Sequence, residues 1–591
     1  MDSLYELVKR MEKDDQFGET TISKYVSFNL RETIEKIEAY LNSKFTSGDD
    51  PTRPFFNIVT AAVNIWFRAT DIDRKNIRIK ANKSEQYVTS FLATILLQEW
   101  LKKNDWGVFL NEWGRTLARY GSAVAKFVEK EGQLFSEVVP WNRIICDSVD
   151  FEKNIKIEKL WLTPAELRKN KNYDQELVKE LLDNLAVRRT MDGRNKDSKS
   201  DYILLYEVHG ELPLSYLTDD EKDDDEFVQQ MHVISFQDKK DFKETSAHTL
   251  VRGREANDPY FITHLIKEDG RTLAIGAVEH LFETQWMVNH SQKQIKDQLD
   301  LASKLLFQTS DGNFVGQNVL TSIENGDILI HSLNQPLTQI SNTPNIAAMQ
   351  SFTQQWQALG NQINGISEAM AGVNPPSGTA WRLQNALLQE SHSLFELMTE
   401  NKGLAIEEML RKYVIPNLRK KLNNSDEIAA ILEEHQIKQL DMMYVPNEAK
   451  RRVNQKIKQT ILNGQIYDPT QQSEDLAATE QELKNTLSSL GNQRFIKPSD
   501  IQSKTWKDIL KDIEWELEID VTGESADSRA VMETLTTVLQ TIASNPNVLQ
   551  DPTTKMLLGR ILNESGAISP IELQSIQSQN LPTNSAALMP A

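Results

Sequence analysis

The sequence predicts a mixed α+β fold that is mainly helical. Three observations predict it. Apolar residues recur at helical spacing over most of the first 120 residues and again from 273 to 422. Between about 124 and 252 the period drops towards two, the signature of strands. Finally, two long helical runs flank a short β-type segment at 312–340, so helix, small β unit and returning helix form a hairpin.

Residues 1–45 read as helical, with Leu4, Leu7, Val8 and Met11 on one face and then Ile34, Ile37 and Leu41. Thr46–Pro54 is a linker by its Gly, Asp and Pro content. Helices are predicted over Pro54–Ala69, Ser84–Lys103 and Asp105–Tyr120; Phe55, Ile58, Val59, Ala62, Trp66 and Phe67 are the apolar face of the first. Strands follow at Val124–Glu129 and Gln133–Val139, joined by a turn at Lys130–Gly132. Pro140 and Trp141 lead into Ile144, Ile145 and Cys146. Further strands are read at Tyr202–Val208, Val228–Phe236 and His248–Arg252. Between the first two of these, Asp219–Glu226 carries seven acids in eight residues and is a solvated loop.

From Leu273 to about Phe307 some thirty-five residues run without proline. Val278, Leu281, Phe282, Ile295, Leu299, Ala302 and Leu306 keep helical spacing, and a helix of that length reaches about 50 Å. Gly312–Ile340 is the β-type insert, with Asp311-Gly312 and Asn325-Gly326 as turns. A second helix starts after Pro344, interleaved with Gln350, Gln354, Gln355, Gln357 and Gln362. Gly372–Gly378 is a loop, because two prolines and two glycines cannot continue a helix. A third helical stretch, Thr379–Leu422, has Gly403 and Pro416 as expected kinks. Short helices and loops are read over 425–512, a strand at Trp515–Val521 and a helix at Asp527–Ala543. Shorter helices follow near Thr553–Asn563 and Pro570–Gln577, before a polar tail at 578–591 expected to be disordered.

Lys and Arg number 66 against 85 Asp and Glu, a net charge of −19. That argues against a protein that wraps nucleic acid by neutralising phosphates, but not against a surface past which DNA slides. The single Cys146 permits no intrachain disulfide and no thiolate metal cluster, and reads as a small buried hydrophobe. The longest apolar stretches, Ile58–Phe67 and Phe91–Leu101, are too short to cross a bilayer, and Met1–Asp15 has no apolar signal-peptide core. No membrane partner is expected.

The search for chemistry finds none. There is no Gly-Lys dipeptide and hence no P-loop, no His-Glu-x-x-His and no Gly-x-Ser-x-Gly. His280 and His290 stand three turns apart on one helix and read as ordinary surface or core residues. Asp71 with Asp73, and Glu482-Leu483-Lys484, arise readily in a chain this rich in charge. No catalytic residue, metal site or cofactor is assigned.

Three places share one order. Tyr260-Phe261-Ile262 is followed by Gly270-Arg271-Thr272-Leu273-Ala274-Ile275-Gly276 and the long helix. The helix, insert and return helix follow. Gly372-Val373-Asn374-Pro375-Pro376-Ser377-Gly378-Thr379-Ala380 then runs into the third long helix. In this order and spacing, across about residues 50 to 545, they resemble the portal proteins of tailed double-stranded DNA bacteriophages. Arg53-Pro54-Phe55-Phe56-Asn57-Ile58-Val59 is similar to the opening of the portal wing. The Asn-, Lys- and Gln-rich composition points to a host with an AT-rich genome, which suits a crAss-like short-tailed phage.

The resemblance implies a wing at 1–272, a first stem helix at 273–307, a clip at 308–344 and a second stem helix at 345–368. It further implies a tunnel loop at 369–378, the rest of the wing at 379–524, a helical crown at 525–577 and the tail. Phe314, Val315, Val319, Leu320, Ile328, Leu329 and Ile330 are then clip residues, and Val373, Asn374, Pro375, Pro376, Ser377 and Gly378 line the tunnel loop. Lys293, Lys296 and Lys304 are candidates for sparse DNA contacts, although Asp297 and Asp300 are spaced to pair with the first two.

The implied assembly is a dodecameric ring at the capsid portal vertex of the virion, built in the host cytoplasm. Its partners are double-stranded DNA in the channel, the terminase, tail or adaptor proteins, and the major capsid and scaffolding proteins. It catalyses no bond chemistry. Two other readings stand beside it: another head–tail connector or adaptor ring, usually shorter and without such a hairpin, and a DNA-processing enzyme, which the missing P-loop disfavours.

Overall fold

The computed structural model describes residues 3–45, 55–74, 77–80, 87–130, 132–191, 202–218, 225–236, 247–303, 306–308, 310, 333–334, 338–340, 345–366, 370, 381–421, 428–431, 434–464, 466, 468, 471–491, 493–496 and 516–519. Its architecture is mixed α+β, with helices outnumbering strands in residues.

Helix α1 (Leu4–Phe17) starts on a capping box, in which the Ser3 side chain accepts from the Glu6 N–H and Glu6 returns to the Ser3 N–H. The chain does not continue as helix to residue 45. A β-hairpin, β1 (Thr20–Ser23) and β2 (Val26–Phe28), intervenes, built from Thr20, Thr21, Ile22 and Val26, which favour extended backbone. Asn29 then caps α2 (Leu30–Leu41). After it come α3 (Val59–Ala69), β3 (Ile77–Lys80), α4 (Tyr87–Lys103) and α5 (Trp106–Tyr120). These helices bury Trp66, Leu97, Trp113 and Leu117 in the main core.

Strands β4 (Ser122–Lys130), β5 (Gln133–Val139), β6 (Ile144–Ile145) and β7 (Lys156–Leu162) follow, then α6 (Pro164–Lys169) and α7 (Gln175–Met191). Next are β8 (Ile203–Pro213), a single helical turn α8 (Ser215–Thr218), β9 (Phe227–Phe236), β10 (Ala247–Arg254) and β11 (Tyr260–His264). Two antiparallel sheets result, one in the order β11-β4-β5 and one in the order β10-β9-β8-β7-β6. The larger sheet is covered on both faces. Tyr206, Val208 and Ile234 pack on Leu4, Leu7 and Val8 of α1. Their neighbours Ile203, Leu205 and Val233 pack on Leu167 and on Val178 and Leu181 of α7. Strand alternation thus sends successive side chains to two different cores. Tyr260–Ile262 belongs to a strand beside β4, and the chain reaches α9 and α10 after it.

The predicted helix over 273–307 is broken and shorter. One turn, α9 (Ala277–His280), stops at Leu281, whose φ of −100° and ψ of 6° leave the helical region, and α10 (Phe282–Ala302) restarts there. Its 21 residues span about 32 Å. The short strands β12 (Leu306–Gln308) and β13 (Thr338–Ile340) pair antiparallel, and α11 (Ile346–Ile363) returns.

Helix α12 (Trp381–Met409) passes Gly403 without interruption and gives way to a π-helical turn, Leu410–Val414, before α13 (Ile415–Lys421). The Ile415 N–H bonds back to Leu410 O, five residues earlier. The wider turn opens just before Pro416, which has no N–H to offer and whose ring would crowd a regular turn. Residues 425–512, expected as short pieces, contain two long helices, α14 (Glu434–Leu462, with Pro446 inside) and α15 (Gln472–Ser489), joined through Val445, Ala449, Leu483 and Leu487. Strand β14 (Ile428–Ile431) pairs with β15 (Gln493–Ile496), and β16 (Glu516–Ile519) returns to pair with β3. The predicted helices beyond 521 and the polar tail lie outside the described residues.

Candidate assembly and conduit hairpin

The α10–β12–β13–α11 unit is rooted by polar side chains in the helical core. Gln285 reads the extended segment before α3 with both ends of its amide: its Oε1 accepts from the Ile58 N–H at 3.0 Å and its Nε2 donates to Phe56 O at 2.7 Å. Asn289 Oδ1 accepts from the Phe56 N–H at 3.0 Å. At the end of α11, Asn364 Nδ2 donates to Ala277 O at 3.2 Å, while its own carbonyl accepts from the Trp66 indole at 3.1 Å.

The two helices pack closely because Gly360 has no side chain. A Cβ there would stand 2.7 Å from Thr284 Cγ2 and 3.0 Å from Leu281 Cδ2. On α10, Thr284, Val288, Ser291 and Ile295 are buried at alternating steps of four and three; on α11, Met349, Thr353, Trp356 and Gly360 repeat that rhythm, half-buried or buried. That is the seam spacing of a two-helix coiled coil.

Burial fades towards the strands. Ile295 is the last buried residue of α10, and on α11 only Thr353 and Gly360 are buried. Trp286, Leu299 and Leu301 on α10 and Phe352, Leu359 and Ile363 on α11 are exposed. Trp286 stacks flat on His290, ring centres 5.1 Å apart, and Gln294 meets His290 Nε2 at 3.0 Å.

Lys296 pairs with Asp300 at 2.7 Å, the i,i+4 alternative to a DNA contact. Lys293 is half-buried on the same helix. Lys304, the seven residues expected in a clip (Phe314, Val315, Val319, Leu320, Ile328, Leu329 and Ile330) and those expected in a tunnel loop (Val373, Asn374, Pro375, Pro376, Ser377 and Gly378) lie outside the described residues. His280 tilts against Trp66 at 5.9 Å, apart from the His290 stack. Asp71 and Asp73 follow α3 in a loop, and Glu482 and Lys484 flank the buried Leu483 on α15. Among the described residues no group of three His, Cys, Asp or Glu is gathered for a metal, and no helix is long and apolar enough to cross a membrane.

Sequence reading missed a buried ionic network where the two large sheets meet. Lys126 Nζ on β4 donates to Glu158 at 2.6 Å and to Glu207 at 2.8 Å. His209 bridges Glu207 at 2.9 Å and Glu255 at 2.8 Å. The Tyr260 hydroxyl donates to Glu158 at 2.9 Å, Lys156 pairs with Asp258, and Tyr413 of the π turn donates to Asp258 O at 2.8 Å. Burial pulls the His209 imidazole down, but its bonds to Glu207 and Glu255 outweigh that and hold it up at about 9. Burial likewise pushes Glu207 up, and the bond to His209 with the charge of Lys126 brings it down to about 2. The acids and cations are mutually satisfied, so the network fixes strands in place.

Another buried cation lies in the helical core, apart from this network. Lys402 of α12 donates to the carbonyl of Thr70 at the end of α3 and lies 5.5 Å over the Trp113 ring. Burial lowers it to about 8 against the pull of Asp71. The Cys146 thiol is free and buried, and burial pushes it well above its ordinary range. It lines a cleft of about 330 Å³ beside α1 with Arg10, Asp14, Asp15 and Asp147.

No protein-family model matches the chain. A search of curated proteins finds no match either.

Proposed function

We propose that this chain is the subunit of a portal-type ring at a capsid vertex, a conduit through which double-stranded DNA is packaged and released. The observation that carries the reading is the hairpin itself. Two helices with coiled-coil seam spacing leave the core, lose burial as they go and end in a two-stranded ladder that carries an inserted segment. A monomer has no use for an outlying hairpin with Trp286, Phe352 and Leu359 in water, whereas a ring covers such surfaces with neighbours.

In this reading α10 and α11 are stem helices, the insert between Gln308 and Thr338 is the clip that docks terminase and tail, and residues 369–378 are the tunnel loop. The net charge of −19 suits a bore that lets phosphates pass without capture. The two sheets and their ionic junction belong to the wing, a rigid mount for the stem.

Electron microscopy and sedimentation of the purified full chain test it. The expected result is a large oligomer seen as rings with a central hole. A clean monomer at micromolar concentration, with no rings on the grid, overturns the proposal.

A further inference from the structure

We infer that the outward face of α14 is a surface that grips the phosphate backbone of duplex DNA. That the nucleic acid is a duplex rests on the conduit reading above. The grip goes beyond that reading, since a bore that lets phosphates pass captures nothing.

The chain holds 85 Asp and Glu in 591 residues. From Ala449 to Tyr467 there is none, while Lys450, Arg451, Arg452, Lys456 and Lys458 fall within nine residues. Such a run is an ordinary solvated helix face unless geometry gathers it. Here it does. Val445, Ala449 and Val453 are buried at steps of four, and the first two pack with Leu483 and Leu487 of α15. At about 100° per residue, Asn447, Arg451, Asn454 and Lys458 fall on the opposite side of the helix, with Lys450 and Gln455 on its flanks. All six are exposed.

Charge remains after the local pairs are counted. The buried Glu448 meets Arg452 at 3.0 Å and Arg451 at 3.1 Å, and Asp475 of α15 meets Lys456 at 2.9 Å. Five cations less two carboxylates leave 5 − 2 = +3, on a chain whose net charge is −19. Lys450, Arg451 and Lys458 present that excess on the outward side.

The occupant follows from what lies between the cations. Asn447, Asn454 and Gln455 carry amides that donate to phosphate oxygens, and no apolar side chain interrupts them. An anionic membrane holds a helix through an apolar face beside its cations, and the apolar face of α14 is already covered by α15. From Asn447 to Lys458 the helix rises about 16 Å, a length over which a duplex presents about ten phosphate charges. A row of cations and amides of that length matches a regular row of phosphates.

Fluorescence anisotropy tests the surface, with two short labelled duplexes of unrelated sequence titrated by the full-length chain over a series of salt concentrations. Both duplexes are expected to bind alike, and more weakly as salt rises. K450Q/K458Q is expected to bind about tenfold more weakly and to flatten the slope of log affinity against log salt by about two, with circular dichroism as in wild type. K153Q removes an exposed lysine elsewhere and is expected to leave affinity and slope as in wild type. A chain that binds neither duplex at low salt, a double variant that binds as wild type does, or a chain that takes up phosphatidylserine vesicles in place of DNA overturns this inference. Rings on the grid beside any of those results leave the conduit reading standing. Monomers that bind DNA through this stripe overturn the conduit reading and leave this inference.

Discussion

Lys126 on β4 and Glu158 on β7 meet at 2.6 Å across the boundary between the two large sheets. Both side chains are almost fully buried, and Lys126 holds Glu207 of β8 as well. Removing one partner of such a pair leaves an uncompensated charge, which costs about 3–5 kcal/mol. Lys126→Met is therefore expected to lower the unfolding free energy, measured by urea titration, by that amount. A midpoint unchanged from wild type would show that the junction does not brace the sheets.

The same network sets an acid and an alkaline limit. Glu207 is held at about 2, below its ordinary 4.5, so its contribution is complete above 4.5 and is lost as pH falls towards 2. His209 is held at about 9, above its ordinary 6.5, so its contribution is complete below 6.5 and is lost as pH rises towards 9. H209Q is expected to flatten the alkaline decline between 6.5 and 9 in a series of denaturant titrations. An unaltered slope in that window would contradict the assignment.

Lys402 acts in the opposite sense. Its folded value of about 8 lies below the ordinary 10.5, so the unfolded chain holds more protons between the two and stability rises with pH across that window. K402M is expected to abolish that rise. NMR of a chain labelled at the lysine side chains checks it directly: one ammonium titrating near 8 should vanish in the variant.

Gly360 is expected to tolerate no side chain of size. G360V places branched carbon against Thr284 and Leu281, an overpacking cost of about 1–3 kcal/mol. Hydrogen exchange should quicken in residues 346–363 and leave the sheets untouched. Equal protection in both proteins would mean that the helices do not close on this glycine.

Replacing residues 312–337 by a short Gly-Ser turn keeps the β12–β13 ladder and removes the inserted segment. On the portal reading the rings persist, while terminase and tail docking are lost. Normal DNA packaging by the shortened ring would refute the clip assignment.

What the sequence reveals depends on how local the cause is. Helices α3 and α5 are legible because Trp66, Leu110, Trp113 and Leu117 mark one face within the segment itself. The β4–β5 pair is legible because Gly132, at φ +74°, supplies the turn. The break at Leu281 is not, since no proline or glycine stands there to mark it. Pro446 suggests a helix end that packing against α15 overrides. Lys126 and Glu207 fall within predicted strands and Glu158 outside any, and only the pairing of distant strands makes them buried partners. On the hairpin, the glutamine-rich, charge-free run is visible in the sequence, but the packing of Gly360 on Thr284 is not.

Gly121 and Gly276 lie backbone to backbone: a Cβ on the first would stand 2.7 Å from the Ile275 carbonyl carbon, and one on the second 2.5 Å from the Gly121 nitrogen. Main chain against main chain leaves no rotamers to yield, so the crossing behaves as a bearing block. Outward of that crossing, Gln285 and Asn289 tie α10 to Phe56 and Ile58, so the root of the hairpin is held twice, once by main chain and once by side-chain amides.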